Sequence, residues 1–500
     1  MSMKRSAVTT STVVCFLLTG CMVGPDFERP QLHEDPKWSS LDPATLDAAT
    51  AAKPTDGVPD LTRWWASFND PVLTMLVERA ALGNLDLTAA EARIRAARAR
   101  RSIMVGGLLP AVDAFGSAAH KPDFSSTGGP VVADTNLFAA GFDASWEIDI
   151  FGHVRRGIEA SEADVDAAVF DMRDVWVSLA GEVASTYTDL RAAQAQLAIV
   201  RSNLSAQQDA LDLTTRLYEA GIVGALDVSN ARAQVESTRS RLPIFESVVR
   251  EAICTLGVLL GQQPSALLAE LSQPAAMPSV PKEVLVGMPS DLLKRRPDIR
   301  RAEAELHAAT ARIGVAIADQ FPRLSLNGAL GTQSTSSSDL IGSAQQYWSG
   351  GVNVMWPVFE GGRIQANIAL QKALTDAAIA AYRKRVLVAL RDVEVAIVNF
   401  SQEQARRASL ARSVEANVDA VGLSTQLYLA GRSDFLNVIA TQRALLDGQQ
   451  ALIQSEQAIA NDLVALYKAL GGGWEQILLN DGEAVSASTP IVEPPSGKVS

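Results

Sequence analysis

Leu213-Thr-Thr-Arg-Leu-Tyr-Glu-Ala-Gly221 is matched, 210 residues further on, by Leu423-Ser-Thr-Gln-Leu-Tyr-Leu-Ala-Gly431. The likeness runs on from Leu226-Asp227-Val228 to Leu436-Asn437-Val438, and at the same offset Trp146 corresponds to Trp356. Further upstream the offset grows by two. Glu91-Ala92 matches Glu303-Ala304, Ala99-Arg100 matches Ala311-Arg312, Pro110 matches Pro322 and Gly116 matches Gly328. Collinear matches over most of both halves mark an internal duplication, which has to be recognised before any fold is assigned.

Each motif closes a long apolar row. Val169, Trp176, Val183, Leu190, Leu197, Leu204 and Leu211 lead in steps of seven to Tyr218. Ile379, Val386, Val393, Phe400, Val414 and Val421 lead likewise to Tyr428, broken only at Arg407. A sustained seven-residue repeat predicts long, left-handed coiled-coil helices. One of them covers about 153–220, and at about 1.5 Å per residue it is about 100 Å long. The Ala-Gly pairs fit helix ends with a left-handed residue. Shorter helices then return over about 225–262 and 435–470. They are too short to flank their partners, so the expected arrangement has 297–320 continuing the line of 225–262, and 72–107 that of 435–470.

Between each first helix and each long helix lies a strand-like pair. Leu109-Pro-Ala-Val-Asp-Ala-Phe-Gly116 and Leu137 to Phe151 bracket a polar loop at 119–136. Phe321-Pro-Arg-Leu-Ser-Leu-Asn-Gly328 and Tyr347 to Phe359 bracket another at 333–346. Phe138, Ala140, Phe142, Ala144, Trp146 and Ile148 alternate with more polar neighbours. Such segments of about ten residues suit a transmembrane β-barrel hairpin, and an ordinary soluble hairpin equally.

The first twenty residues read as an export signal: Lys4 and Arg5, a short apolar stretch from Ala7 to Leu18, then Leu18-Thr-Gly-Cys21. Those last four residues look like a bacterial lipobox, which would make Cys21 the lipidated first residue of the mature chain. The alternative is an ordinary signal with a coincidental Cys. Of the other two cysteines, Cys15 leaves with the signal and Cys254 stands alone, so no disulfide framework and no thiol metal site can be built. A net charge of −12 without a basic stripe excludes a nucleic-acid partner. Aromatics are only 6% of the residues and Ala is abundant, which favours long helices over a compact mixed core. His33, His120, His153 and His307 have no metal-ligand spacing, and Gly471-Gly-Gly473 has no strand before it. No enzyme activity, metal or cofactor is expected beyond the covalent lipid.

Several further motifs carry a family resemblance. Cys21-Met-Val-Gly-Pro-Asp-Phe-Glu-Arg-Pro30, Trp64-Trp65 with Phe68 and Asp70-Pro71, Gly83-Asn-Leu-Asp-Leu87, Pro289-Ser-Asp-Leu-Leu-Lys-Arg-Arg-Pro-Asp-Ile299 and the two Leu-Tyr-x-Ala-Gly turns resemble the TolC-like outer-membrane efflux channels. The likeness is to their lipoprotein, NodT-like branch and covers roughly residues 21–475. It implies an α+β membrane protein: long antiparallel coiled-coil helices forming an α-barrel, plus four strands per protomer in a trimeric twelve-stranded transmembrane β-barrel. The expected partition is a signal peptide at 1–20, a lipidated segment with equatorial contacts at 21–71, a first repeat at 72–262, an equatorial linker at 263–296, a second repeat at 297–470 and a loose tail at 471–500. The implied partners are two further copies, a periplasmic membrane-fusion adaptor, an inner-membrane transporter of the RND type and outer-membrane lipid. The implied function is efflux of small molecules. Protein secretion through the same fold, or a poreless periplasmic scaffold, are the alternatives.

The resemblance also implies site residues. Tyr428 would hydrogen-bond Asp227 on a neighbouring hairpin as a gate, with simple helix capping by Asp227 as the bland alternative. Asp434, beside Arg432, could supply a carboxylate ring where Asn437 and Ala440 replace the family's aspartates. Gly221 and Gly431 would mark the tips that meet the adaptor, or be plain C-terminal caps.

Overall fold

The computed structural model describes residues 22–30, 38–39, 52–53, 61–123, 133–281, 284–339 and 345–475. The export signal, Cys21 and the tail beyond Glu475 lie outside the described residues. The main elements are α1 (Pro71–Gly83), α2 (Leu85–Gly106), β1 (Ala111–Asp123), β2 (Ala133–Ile148), α3 (His153–Glu219), α4 (Ala225–Arg239), α5 (Leu242–Leu259), α6 (Pro297–Ala318), β3 (Arg323–Ser334), β4 (Gln345–Met355), α7 (Arg363–Leu429) and α8 (Phe435–Ala469).

The heptad rows did their work: α3 and α7 are 67 residues each. Trp176, Val183, Leu190, Leu197 and Leu204 are buried, as are Val386, Val393 and Phe400. Arg407, the one break in the second row, is paired with Glu456 at 2.7 Å.

Three expectations need correction. The segment 72–107 is two helices, because Asn84 interrupts it: its Oδ1 accepts from the N–H groups of Asp86 (2.9 Å) and Leu87 (3.0 Å) and so caps α2. The return segment 225–262 is also broken, between α4 and α5. Pro243 sits at the start of α5, where it lacks an N–H and its ring opposes the carbonyl one turn back. The third correction concerns which short helices meet. Asn84 Nδ2 donates to the carbonyl of Leu259, the last residue of α5, at 2.9 Å. Arg296 Nη1 donates to the carbonyl of Ala469, the last residue of α8, at 3.0 Å. The end of α5 therefore meets the start of α2, and the end of α8 meets the start of α6, the reverse of the expected pairing. The last carbonyls of a helix have no partner of their own; Asn84 and Arg296 supply the donors.

On the loop side the strands outrun their expected ends, so the loops at 119–136 and 333–346 are shorter than their composition implied. At the other end the returning strands stop at Ile148 and Met355, short of the expected Phe151 and Phe359. The linker 263–296 carries two short helices, Leu268–Leu271 and Pro289–Arg295, and a two-residue strand, Val284–Leu285, parallel to Ala52–Lys53.

The chain divides into two compact units. The first comprises Met1–Gln31, Ala92–Val169 and Arg301–Arg383 and holds the four-stranded antiparallel sheet, in the order β1-β2-β3-β4. Within it Arg101 pairs with Glu162 of α3 at 2.7 Å and Arg312 with Asp164 of α3 at 2.5 Å. Residues 22–30 run over this unit as a strap. Arg156, 1% exposed, donates to the carbonyls of Val23 and Gly24 and to Asp26 and Glu159. Phe27 stacks on His307 at 4.6 Å, and Arg29 pairs with Glu303.

The second unit comprises Leu32–Glu91, Phe170–Arg300 and Lys384–Ser500. Its core is aromatic: Trp65 meets Trp64 and Trp176 edge-on, and Trp64 stacks on Tyr467. Residues 471–475, expected in a loose tail, belong to this core. Trp176 Nε1 donates to the carbonyl of Gly473 at 2.8 Å, and Trp474 Nε1 to that of Arg295 at 3.0 Å.

Candidate functional site

The sheet has two unlike faces, and strand alternation assigns them. Residues paired across strands share a face. Val112 pairs with Ala144, Phe142 with Leu330 and Trp348 with Leu330 in turn, and Trp146 pairs with Leu326 and then Val352. That face is apolar throughout its middle, and its large side chains are exposed in the single chain; Trp348 is 81% exposed. The opposite face carries Asp113 paired with Asp143, and Ser145 with Asn327. Asp113, Asp143, Ser145, Asn327, Ala329 and Ser349 line a cavity of about 460 Å³ there. An apolar band outside and a polar wall inside is what a membrane barrel requires. No described helix is long and apolar enough to cross a membrane.

The base of each hairpin repeats the duplication atom for atom. Trp146 Nε1 donates to the carbonyl of Leu108 at 2.9 Å, and Trp356 Nε1 to that of Gln320 at 3.1 Å. An indole between an apolar band and a polar carbonyl suits a membrane boundary.

The two tips also share a backbone. At the end of α3 the N–H of Gly221 bonds to Tyr218 and that of Ile222 to Leu217; at the end of α7 Gly431 bonds to Tyr428 and Arg432 to Leu427. Both glycines are left-handed, at φ 73° and 68°. This is the six-to-one closure that a Gly one residue past a helix permits, and it explains why the repeated motif ends in Gly. The side chains diverge. Tyr218 is exposed, whereas Tyr428 packs on Phe435, ring centres 5.1 Å apart, beside Ala231, Val438 and Ile439.

The Tyr428 hydroxyl is buried beside the Thr214 side chain, but no hydrogen bond of good geometry reaches it among the described residues. Burial raises its pKa, the charge of Asp227 raises it further, and Thr214 acts against both. Asp227 is thus near Tyr428 without a direct bond within one chain. It does not cap α4 either, since Gly224 occupies the N-cap and Asp227 lies in the first turn. Asp434 is the N-cap residue of α8, but its carboxylate takes no capping bond. Asp434 and Arg432 are both exposed, and among the described residues they form no ion pair. Two polar ties that sequence reasoning missed join the return helices: Arg443 to Gln234 at 2.5 Å and Arg241 to Gln450 at 2.9 Å. They lie off the apolar rows, so periodicity did not mark them.

Comparisons with known proteins agree with this geometry. A family model described as outer membrane efflux protein matches residues 76–262 and 288–472. The chain is 32% identical to the pyoverdine export outer membrane protein OpmQ of Pseudomonas aeruginosa over 481 residues, 95% of this chain and 98% of that one. It is 30% identical to nodulation protein T of Rhizobium leguminosarum bv. trifolii, over 94% of this chain and 98% of the relative. Among solved structures it resembles the outer-membrane channel OprN, with a TM-score of 0.84 and 37% identity over 91% of this chain and all of that one. With a two-faced sheet, two repeated tips and these matches, the chain belongs to the outer membrane efflux protein family and is an outer-membrane efflux channel.

Proposed function

We propose that three copies close one barrel and one helical tunnel, a passive duct for small molecules delivered by a periplasmic adaptor and an RND-type inner-membrane transporter. One observation carries this reading: a four-stranded sheet with an apolar and a polar face, whose edges β1 and β4 are unpaired among the described residues. Open edges are not tolerated in hydrocarbon, and small barrels take about eight strands or more. Four strands therefore need further copies, most simply by cyclic symmetry. The family resemblance makes the number three. A poreless scaffold would leave the apolar sheet face in water, which disfavours it.

In this reading Cys21 carries a lipid, and the tips at Gly221 and Gly431 meet the adaptor. Tyr428 and Asp227 latch neighbouring hairpins, and Asp434 with Arg432 tunes the charge at the entrance. The buried Tyr428 hydroxyl, with the charge of Asp227 close to it, supports the latch. Mass measurement of the detergent-solubilised protein should give three chains, and planar-bilayer recording should give larger conductance for Tyr428→Phe with Asp227→Ala. A monomer sinks the duct, and unchanged conductance sinks the latch. Loss of palmitate labelling in Cys21→Ser tests the anchor. An altered reversal potential in Asp434→Asn tests the ring.

A further inference from the structure

The duplication fixes more than the fold of one chain. Ala111 pairs with Ser145 in the first hairpin and Arg323 with Met355 in the second. First strands therefore correspond at an offset of 212 and second strands at 210, the same offsets that relate the two Trp-to-carbonyl bonds. The halves are superimposable residue for residue through the sheet, and the seam between them is β2 against β3, with Trp146 opposite Leu326 and Ile148 opposite Leu324.

We infer that the seam between copies, β4 of one against β1 of the next, repeats this internal seam in register. The inference rests on the closed-barrel reading proposed above and adds the residue pairing to it. Moving β2 onto β4 and β3 onto β1 by their offsets places Met355 opposite Phe115, Val354 opposite Gly116, Asn353 opposite Ser117 and Val352 opposite Ala118 of the neighbouring copy. The alternation of the strands agrees with this register. The apolar Val352 and Val354 face Ala118 and Gly116, which lie on the apolar face of β1, so the two faces run unbroken across the seam. A slip of one residue would put them on the polar face. At the base, the internal seam is sealed by Phe151 stacked on Phe321, 4.6 Å apart. The same offsets bring Gly361 and Leu109 to that place between copies. Leu109, 65% exposed, and the neighbouring Val358 and Phe359, 80% and 88% exposed, are then the apolar groups available to seal it.

The inference also says where the seam stops. Pro357 corresponds to Glu147 of β2, and with no N–H it cannot extend the ladder. The seam between copies should therefore end at Met355, three residues short of the internal one, which reaches Ile148.

Disulfide trapping in outer-membrane vesicles tests the register, using the full-length chain with Cys254→Ala. Two in-register pairs are made, Gly116→Cys with Val354→Cys and Ser117→Cys with Asn353→Cys. One of two adjacent pairs has its Cα atoms at the closer cross-strand spacing. Two shifted controls are Ala114→Cys or Ala118→Cys, each with Val354→Cys, where the separation of about 7–8 Å exceeds what a disulfide spans. A Cβ at position 116 meets nothing within 4 Å in the single chain. Oxidation should convert an in-register pair from a monomer band to covalently linked trimer on a non-reducing gel and leave both controls monomeric. Stronger linking in either control overturns the register. So does the absence of disulfides in all four variants when amine crosslinking still yields a trimer. Absence of any trimer would instead overturn the barrel reading itself.

Discussion

Replacing Arg296 by Met should destabilise the protein by about 3 kcal/mol at neutral pH. Arg296 and Asp298 are 9% and 4% exposed, and they are joined by two bonds, Nε to Oδ1 at 3.0 Å and Nη2 to Oδ2 at 2.9 Å. Removing one partner of a buried pair costs about 3–5 kcal/mol, because the other charge is left behind. Here the lower end applies: Arg385 stays 3.8 Å from Asp298, and the Ile299 N–H still bonds its Oδ1. The carbonyl of Ala469 also loses its donor. Removing both charges together, with Arg296→Met and Asp298→Leu, should cost less than the separate losses summed, by at least about 1 kcal/mol. Acid supplies a second check. Burial pushes the Asp298 carboxyl up, but the bonds and charge of Arg296, with Arg385 and the Ile299 N–H, hold it below its usual value. In the wild type that stabilisation is present above the unfolded pKa and lost as pH falls through the folded one. In Arg296→Met burial prevails, so the deficit should shrink as pH falls towards about 4. Denaturant titration of the detergent-solubilised protein, read by tryptophan fluorescence, measures all three, since Trp474 is bonded to the adjacent Arg295 carbonyl. A loss below about 1 kcal/mol, additivity in the double variant, or a deficit that grows in acid would refute the reasoning.

Asp462 gives the opposite pH dependence: burial, then the charge of Glu403, push its carboxyl up to about 6. The native state then binds the extra proton between about 4 and 6, so stability should fall as pH rises through that window. Asp462→Asn should flatten the slope; an unchanged slope assigns it elsewhere. Gly221→Ala and Gly431→Ala meet no atom within 4 Å of the new Cβ, so their cost is the left-handed backbone alone, about 1 kcal/mol. Amide exchange at Ile222 and Arg432 should quicken about fivefold in the respective variants, and an unchanged rate would show that the turn does not hold the tip. Trp146→Phe and Trp356→Phe should each lose about 1 kcal/mol, and by similar amounts, since the two bonds are duplicates. Thermal melts of the strand signal would reveal any inequality.

The long helices were legible because each burial event recurs every seven residues, and a regular signal survives single exceptions such as Arg407. The tips were legible because a left-handed residue there demands Gly. What stayed hidden were single polar groups acting at a distance in sequence. Nothing in the apolar rows says that Asn84 takes the carbonyl of Leu259, or that Arg296 takes that of Ala469, yet those two bonds decide which short helices meet. The loop at 119–136 was overdrawn because the polar, Gly- and Ser-rich composition of its middle was extended to both sides, whereas β1 reaches Asp123 and β2 begins at Ala133. At the gate, Tyr218 and Tyr428 are equivalent in sequence, and only the packing of Phe435 separates an exposed ring from a half-buried one.

The strap over the first unit has a consequence for how such a chain can drift through evolution. Arg156 reads the main-chain carbonyls of Val23 and Gly24, not their side chains. Position 23, whose N–H also bonds the Phe151 carbonyl, is therefore less constrained in its side chain than position 24, where a Cβ would collide with the backbone of Gly314, and one on Gly314 would run into Arg156 at 2.8 Å. Gly24, Gly314 and Arg156 form a unit of inheritance drawn from three distant parts of the chain. In any collection of descendants they should be kept or exchanged together, while the residues between them wander.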